Sequence, residues 1–188
     1  DIMSMPVDPV VTTAGKELAT DASATGKRIL VIKLSALGDV ILAMGPFAAI
    51  RAAHPDAHIT VLTTRPFVDL MKASGFFDAI AIDRRPKLTN LREVFALRRF
   101  LRNGNFDRVY DLQTSDRSGF YYKLFWPSPK PEWSGIARGC SHPHANPERD
   151  SMHALDRIFD QLEYAGISKV PVPVLAGPDI DLDRFGIR

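Results

Sequence analysis

Ile29-Leu30-Val31-Ile32 is an apolar run without a polar break, opened by Arg28 and closed by Lys33. A strand that reads this way is covered on both faces, as in parallel sheets flanked by helices, whereas a strand on a half-solvated sheet alternates apolar with polar. Strand and helix signals then alternate along the chain. Residues 39–53 read as a helix, His58–Thr63 as a strand, 66–74 as a helix and Ala79–Ile82 as a strand. A helix over 90–102 places Leu91, Val94, Phe95 and Leu101 on one stripe, opens on the capping pair Asn90 and Glu93, and has Gly104 just past its end. Residues 108–112 give the next strand. A helix over 151–165 carries Met152, Leu155, Ile158, Phe159 and Leu162 on one face, starting at Ser151 and stopping at Gly166. This alternation predicts an α/β fold, a Rossmann-like, doubly wound parallel sheet with helices on both faces.

The flanks are different. Residues 1–27 are rich in Ala, Thr, Ser, Asp and Pro with no sustained period, and are expected to form a mobile tail. After the last helix, Val170-Pro171-Val172-Pro173-Val174-Leu175 alternates Val with Pro, which no central strand tolerates. Residues 170–188 are thus expected to be a connector to a second domain, leaving 28–169 as one folded unit.

At 188 residues, 45% hydrophobic and 24% charged, the chain is long and apolar enough for one such core, which excludes disorder throughout. No apolar run approaches the roughly 18 residues of a membrane span and no signal-peptide pattern opens the chain, so a cytoplasmic location is expected. The single cysteine, Cys140, agrees with a reducing compartment. The net charge of +2 does not argue for nucleic acid, but its distribution is uneven: residues 84–138 hold twelve basic and five acidic side chains, an excess of seven. Such a cluster suits an anionic partner, whether phosphate, acidic sugar or membrane surface.

The turn after the first strand reads Lys33-Leu34-Ser35-Ala36-Leu37-Gly38-Asp39. Ligands of open parallel sheets bind beyond the carboxyl ends of the strands, so this turn is the first candidate site. Neither a dinucleotide fingerprint nor a phosphate loop is present. What remains is Gly38, which permits a tight turn, and the carboxylate Asp39 at a helix start. Asp39 is either a helix N-cap or a general base facing the cleft. Pro46 implies that the helix is kinked or begins late.

The run over 28–46, RILVIKLSALGDVILAMGP, resembles the N-terminal signature of glycosyltransferase family 9, the heptosyltransferases of lipopolysaccharide core synthesis. The similarity continues through Asp111-Leu112-Gln113, Ser115 and Arg117, and through Trp133-Ser134-Gly135. The resemblance implies a GT-B enzyme of two Rossmann-like domains, this chain being the N-terminal, acceptor-binding half. It implies inverting transfer of a heptose from a nucleotide-heptose, such as ADP-heptose, to the lipopolysaccharide inner core, with Asp39 taking the proton of the acceptor hydroxyl. Its partners would be the nucleotide sugar, held mainly by the other half, and an anionic glycolipid at the inner face of the inner membrane, touched peripherally. No nucleic acid, metal or cofactor is implied, and the chain alone is expected to be inactive. The alternatives are a GT-B transferase for another nucleotide sugar and a non-catalytic Rossmann-like module for an anionic ligand.

Ser35, Gly38, Arg84, Arg85, Lys87, Arg117 and Arg138 are the candidate substrate-binding residues, Arg84, Arg85, Lys87 and Arg117 because they follow strand ends, where cleft loops lie, and Arg138 as a member of the basic stretch. Arg98, Arg99 and Arg102 are explained by the helix macrodipole. Cys140-x-His142-x-His144 does not have structural zinc spacing, and reads instead as a loop at the cleft edge whose histidines, with an ordinary pKa near roughly 6.5, could meet an acidic acceptor. Trp126 and Trp133 read as core or loop packing rather than sugar stacking.

Overall fold

The structure, a computed structural model, describes residues 11–12 and 26–168. Its strands are β1 (Val11–Thr12), β2 (Arg28–Ile32), β3 (His58–Thr63), β4 (Ala79–Ile82), β5 (Arg108–Asp111), β6 (Glu132–Gly135) and β7 (His142–Pro143). The helices are α1 (Leu37–Leu42), α2 (Met44–Ala53), α3 (Val68–Ser74), α4 (Leu91–Asn103), α5 (Asp116–Lys123) and α6 (Ala154–Tyr164). The strands form one sheet in the order β1-β4-β3-β2-β5-β6-β7. All neighbours are parallel except β1, which pairs antiparallel with β4. Without β1 the order is that of the doubly wound Rossmann sheet, with its reversal between β2 and β5.

The two-sided burial expected of the first strand is observed: Ile29 through Ile32 are fully buried. Successive side chains point to opposite faces. Ile29 and Val31 join α1, α2, α3 and α6 around Phe47, while Leu30 and Ile32 join α4 and α5 around Trp133. Trp133 is held by Tyr122 and Phe125, ring centroids 5.2 and 6.2 Å away, so its expected packing role holds.

The predicted helix over 39–53 is two helices. Ala43 separates them, because Pro46 has no N–H to offer the carbonyl of Leu42 and its ring crowds that carbonyl. Residues 66–74 divide into a 3-10 turn, Arg65–Phe67, and α3. The helix expected from Ser151 begins at Ala154 with His153 at its N-cap; Ser151 lies in a 3-10 turn and its hydroxyl donates to Glu148 O at 2.7 Å. Asn90 does cap α4, accepting from Glu93 N–H at 3.4 Å. The stripe assigned to that helix is wrong in part: Leu97 and Leu101 face the core, while Leu91 and Phe95 lie in solvent. Trp126 is likewise exposed rather than packed. The tail reading falls outside the described residues except at Val11–Thr12 and 26–27, and the connector over 170–188 falls wholly outside them.

Leu101→Ala should therefore cost about 2–5 kcal/mol of stability, as a buried large-to-small change does, whereas Leu91→Ala should stay within about 0.5 kcal/mol. Urea unfolding of the two variants checks which face of α4 carries the fold.

Candidate functional site

The carboxyl ends of four strands converge at the reversal between β2 and β5. The β2 loop is tied to the β5 loop by one side chain: Gln113 Oε1 accepts from the N–H of Leu34 at 2.8 Å and of Ser35 at 3.1 Å. Lys33 Nζ donates to Leu112 O at 3.2 Å across the same gap. On the other side, the Thr64 hydroxyl at the end of β3 donates to Leu34 O at 2.8 Å, and the Arg85 guanidinium from the β4 loop donates to the Ser35 hydroxyl. Backbone groups that the turn leaves without sheet partners are thereby satisfied, and the turn is held open to solvent.

Asp39 is the third residue of α1, not its N-cap; Ala36 holds that position and lacks a capping oxygen. The carboxylate accepts from Ala36 N–H at 3.4 Å and is exposed. Gly38 is also corrected: it lies inside α1 with no positive φ, and nothing stands within 4 Å of where its Cβ would be. The turn does not need glycine there; the position leaves open space beside Asp39.

The β4 loop is built on Asp83, which is buried. Its Oδ1 accepts from Arg85 N–H at 2.7 Å and its Oδ2 from the Tyr121 hydroxyl at 2.5 Å. These bonds hold Arg85 at φ 52°, a left-handed conformation that a non-glycine residue adopts at a cost. Arg117 donates to Pro86 O at 3.1 Å and braces the same loop from α5. Burial and the neighbouring Asp83 carboxylate raise the Tyr121 pKa, so the phenol stays a donor. A hollow of about 490 Å³ lies beside the loop, lined by Thr64, Arg65, Asp83, Arg84 and Arg85.

The structure thus brings together Ser35, Arg84, Arg85 and Arg117 of the expected binding residues. Lys87 and Arg138 are exposed outside this network, Arg138 in the loop after β6. Arg65 was missed by sequence reasoning, as were the ties made by Gln113, Asp83 and Tyr121. A lone arginine after a strand carries little signal, and these ties join residues about 30 to 80 positions apart. His144 is not at a cleft edge: it is buried, with Nε2 at 2.6 Å from Asp160 on α6. Cys140 lies against Gly135 O and His142 against the Ser141 hydroxyl, so the three side chains diverge.

Two buried charges lie under the turn. Asp111, fully buried, accepts at Oδ1 from the N–H of Gln113 at 3.2 Å and of Thr114 at 3.0 Å, while Oδ2 has no partner among the described residues. Burial pushes its carboxyl up to about 6, against those bonds and the nearby Lys33. Burial likewise lowers Lys33, opposed by the charges of Asp39 and Asp111.

No protein-family model and no curated protein sequence matches the chain. Solved structures of similar fold include the following three. A glycosyl transferase family 9 protein from Veillonella parvula superposes with a TM-score of 0.65 at 22% identity, over 86% of this chain and 51% of that one. The E. coli ADP-heptose lps heptosyltransferase II gives 0.59 at 16% identity over 86% and 51%. The E. coli heptosyltransferase WaaC with ADP gives 0.55 at 18% identity over 80% and 50%. The chain is a Rossmann-like α/β domain of the kind found in GT-B glycosyltransferases. It spans about half the length of these structures.

The buried carboxylate gives a pH signature. Between its ordinary 3.8 and about 6, folded Asp111 keeps a proton that the unfolded chain has released. The stability this group contributes is therefore full below about pH 4 and is lost as pH rises through about 6, a loss on the order of 3 kcal/mol. Asp111→Asn cannot ionise, so its unfolding free energy should gain on the wild type by up to that amount between about pH 4 and pH 7. A gap that is constant with pH would mean that burial leaves the carboxyl unshifted.

Proposed function

We propose that this chain is the acceptor-binding half of an inverting glycosyltransferase of family 9, acting on a nucleotide-heptose and an anionic lipopolysaccharide inner-core acceptor. The observation that carries the reading is the exposed Asp39 carboxylate beside the open space at Gly38, on the same rim as Ser35, Arg84 and Arg85. The similar fold of the family 9 protein, and the ADP in one E. coli heptosyltransferase structure, support the reaction class and the donor.

In this mechanism the acceptor lies over the β2 and β4 loops with its hydroxyl directed at Asp39. The carboxylate takes the hydroxyl proton as the oxygen attacks the anomeric carbon. The carbon–oxygen bond to the nucleotide diphosphate breaks on the opposite face, the diphosphate leaves with the electron pair, and the configuration inverts. Asp39 suits this task by position: one weak bond to Ala36 N–H holds it, and the rest of the carboxylate faces solvent. The α1 helix has only six residues, which limits the dipole at its N-terminus. Arg84, Arg85 and Arg65 would meet phosphate or carboxylate groups of the acceptor through charge-assisted bonds.

In the enzyme carrying both halves, Asp39→Asn should lower kcat about a hundredfold or more with an unchanged melting temperature, since Asn keeps the oxygen that accepts from Ala36 but not the basicity. Near-normal kcat in Asn would reduce Asp39 to a local brace of the turn.

Replacing Arg84 and Arg85 together with Gln should raise the acceptor KM on the order of tenfold, because exposed charged contacts contribute about 1 kcal/mol each. The donor KM should not change, and added salt should erase most of the difference. Equal acceptor KM values at low and high salt would place the acceptor elsewhere.

A further inference from the structure

Lys33, Leu34, Ser35 and Ala36 lie between the last residue of β2 and the first of α1. The middle of this stretch is held by one side chain from another strand's loop: Gln113 Oε1 accepts from Leu34 N–H at 2.8 Å and from Ser35 N–H at 3.1 Å. A carbonyl oxygen has two lone pairs, so one amide side chain takes both donors, and its NH2 end could take neither. The next residue, Ala36, offers the N–H that the Asp39 carboxylate accepts at 3.4 Å. Its carbonyl accepts from Val40 N–H at 2.9 Å as α1 begins. The two N–H groups bound by Gln113 and the one bound by Asp39 are thus consecutive in the chain.

Gln113 is itself fixed. Its N–H donates to Asp111 Oδ1 at 3.2 Å, as Thr114 N–H does at 3.0 Å. Leu112, just before it, donates its N–H to Ile32 O at 3.1 Å and accepts from Lys33 Nζ at 3.2 Å. Asp111, Leu112 and Lys33 are buried, whereas Gln113 is half-buried at the crevice. The side chain therefore reaches the turn from a support that the sheet holds in place.

We propose that Gln113 is a positioning residue that sets where the Asp39 carboxylate stands, acting through the Leu34–Ser35 backbone. In naming Asp39 as the group to be placed, this rests on the proposed function. Asp39 needs such a device. Its carboxylate is exposed, and Val40 is the one buried residue of α1, so packing anchors the helix at a single point and leaves its amino end to the turn. The other ties, from the Thr64 hydroxyl to Leu34 O and from Arg85 to the Ser35 hydroxyl, do not involve these two N–H groups. A displacement of about 1 Å in a reacting group can cost on the order of a hundredfold in rate.

The test compares Gln113→Met, which keeps the reach of the side chain and loses the acceptor oxygen, with Gln113→Glu, which keeps the oxygen. In the purified protein, followed by NMR, Met should speed amide exchange at Leu34 and Ser35 about tenfold and shift the carboxyl carbon resonance of Asp39; Glu should restore both. In the enzyme carrying both halves, Met should lower kcat about ten- to a hundredfold with the donor KM unchanged, and Glu should return it to within about threefold of wild type. Added to Asp39→Asn, Gln113→Met should lower kcat no further, because a base that has been removed cannot be misplaced. Gln113→Asn, whose oxygen falls one methylene short of the two N–H groups, should repeat the pattern if Met lowers the melting temperature. An Asp39 resonance unmoved by loss of the tie, no rescue by Glu, or an equal loss of kcat with and without Asp39→Asn would overturn the proposal. Near-normal kcat in Asp39→Asn would instead sink the reading of Asp39 as the base, while its resonance still decides whether Gln113 places it.

Discussion

The structure depends on a parallel strand buried on both faces whose last residues must still leave the sheet. Ile29 through Ile32 shed nearly all contact with water, and the chain then turns outward with N–H groups that no neighbouring strand can accept. Gln113 Oε1 takes two of these, Leu34 and Ser35, from across the reversal in strand order. An unsatisfied buried backbone donor costs about 1–3 kcal/mol, so this side chain decides whether the turn can keep its shape. The sheet order separates the helices that follow β2 and β5 to opposite faces, and the crevice between them is where Gln113 works. Fold and site are consequences of the same reversal.

Around that crevice, each loop is braced by a residue from another element. Asp83 at the end of β4 is bound by Tyr121 of α5, Arg117 of α5 reaches Pro86, and Thr64 reaches Leu34. The charged residues divide accordingly. Asp83 is buried and spends both oxygens on neighbouring N–H and O–H groups, and the buried Asp111 spends Oδ1 on two N–H groups, whereas Asp39, Arg84 and Arg85 are exposed. The buried carboxylates shape the rim, while the exposed Asp39 is held by one bond, from Ala36 N–H. The left-handed Arg85 shows the cost of this arrangement, because its backbone is held there by Asp83 while its guanidinium spans to Ser35.

Much of this was legible in the sequence. The strands at His58–Thr63 and Ala79–Ile82 match their expected bounds, since short apolar runs between turn residues have few other uses. β6, β7 and α5 were not read. Glu132-Trp133-Ser134-Gly135 has one large apolar residue, and α5 buries its aromatic pair Tyr121 and Tyr122 in a stretch of low amphipathicity; both depend on neighbours that are distant in sequence. Periodicity also misplaced the core side of α4, because Leu91 and Phe95 lie close enough to the true stripe to be counted with it. The basic residues were visible as a cluster, but only the strand ends sort Arg84, Arg85 and Arg65 to the crevice and leave Lys87 and Arg138 away from it.

That misplaced stripe carries a physical lesson about α4. A surface helix needs only its inner side apolar to pack, and Leu97 and Leu101 with the partly buried Val94 and Phe100 supply this. Leu91 and Phe95 add nothing to that packing, and their exposure carries a solubility cost that two polar residues would remove. On the outer side they sit among arginines whose macrodipole explanation holds only for the last turn: Arg102 is there, but Arg92 is near the amino end, where a cation opposes the dipole. Core packing does not account for the exposed Leu91 and Phe95. The inner stripe alone fixes α4 on the sheet, so the identities of Leu91 and Phe95 answer to something other than packing.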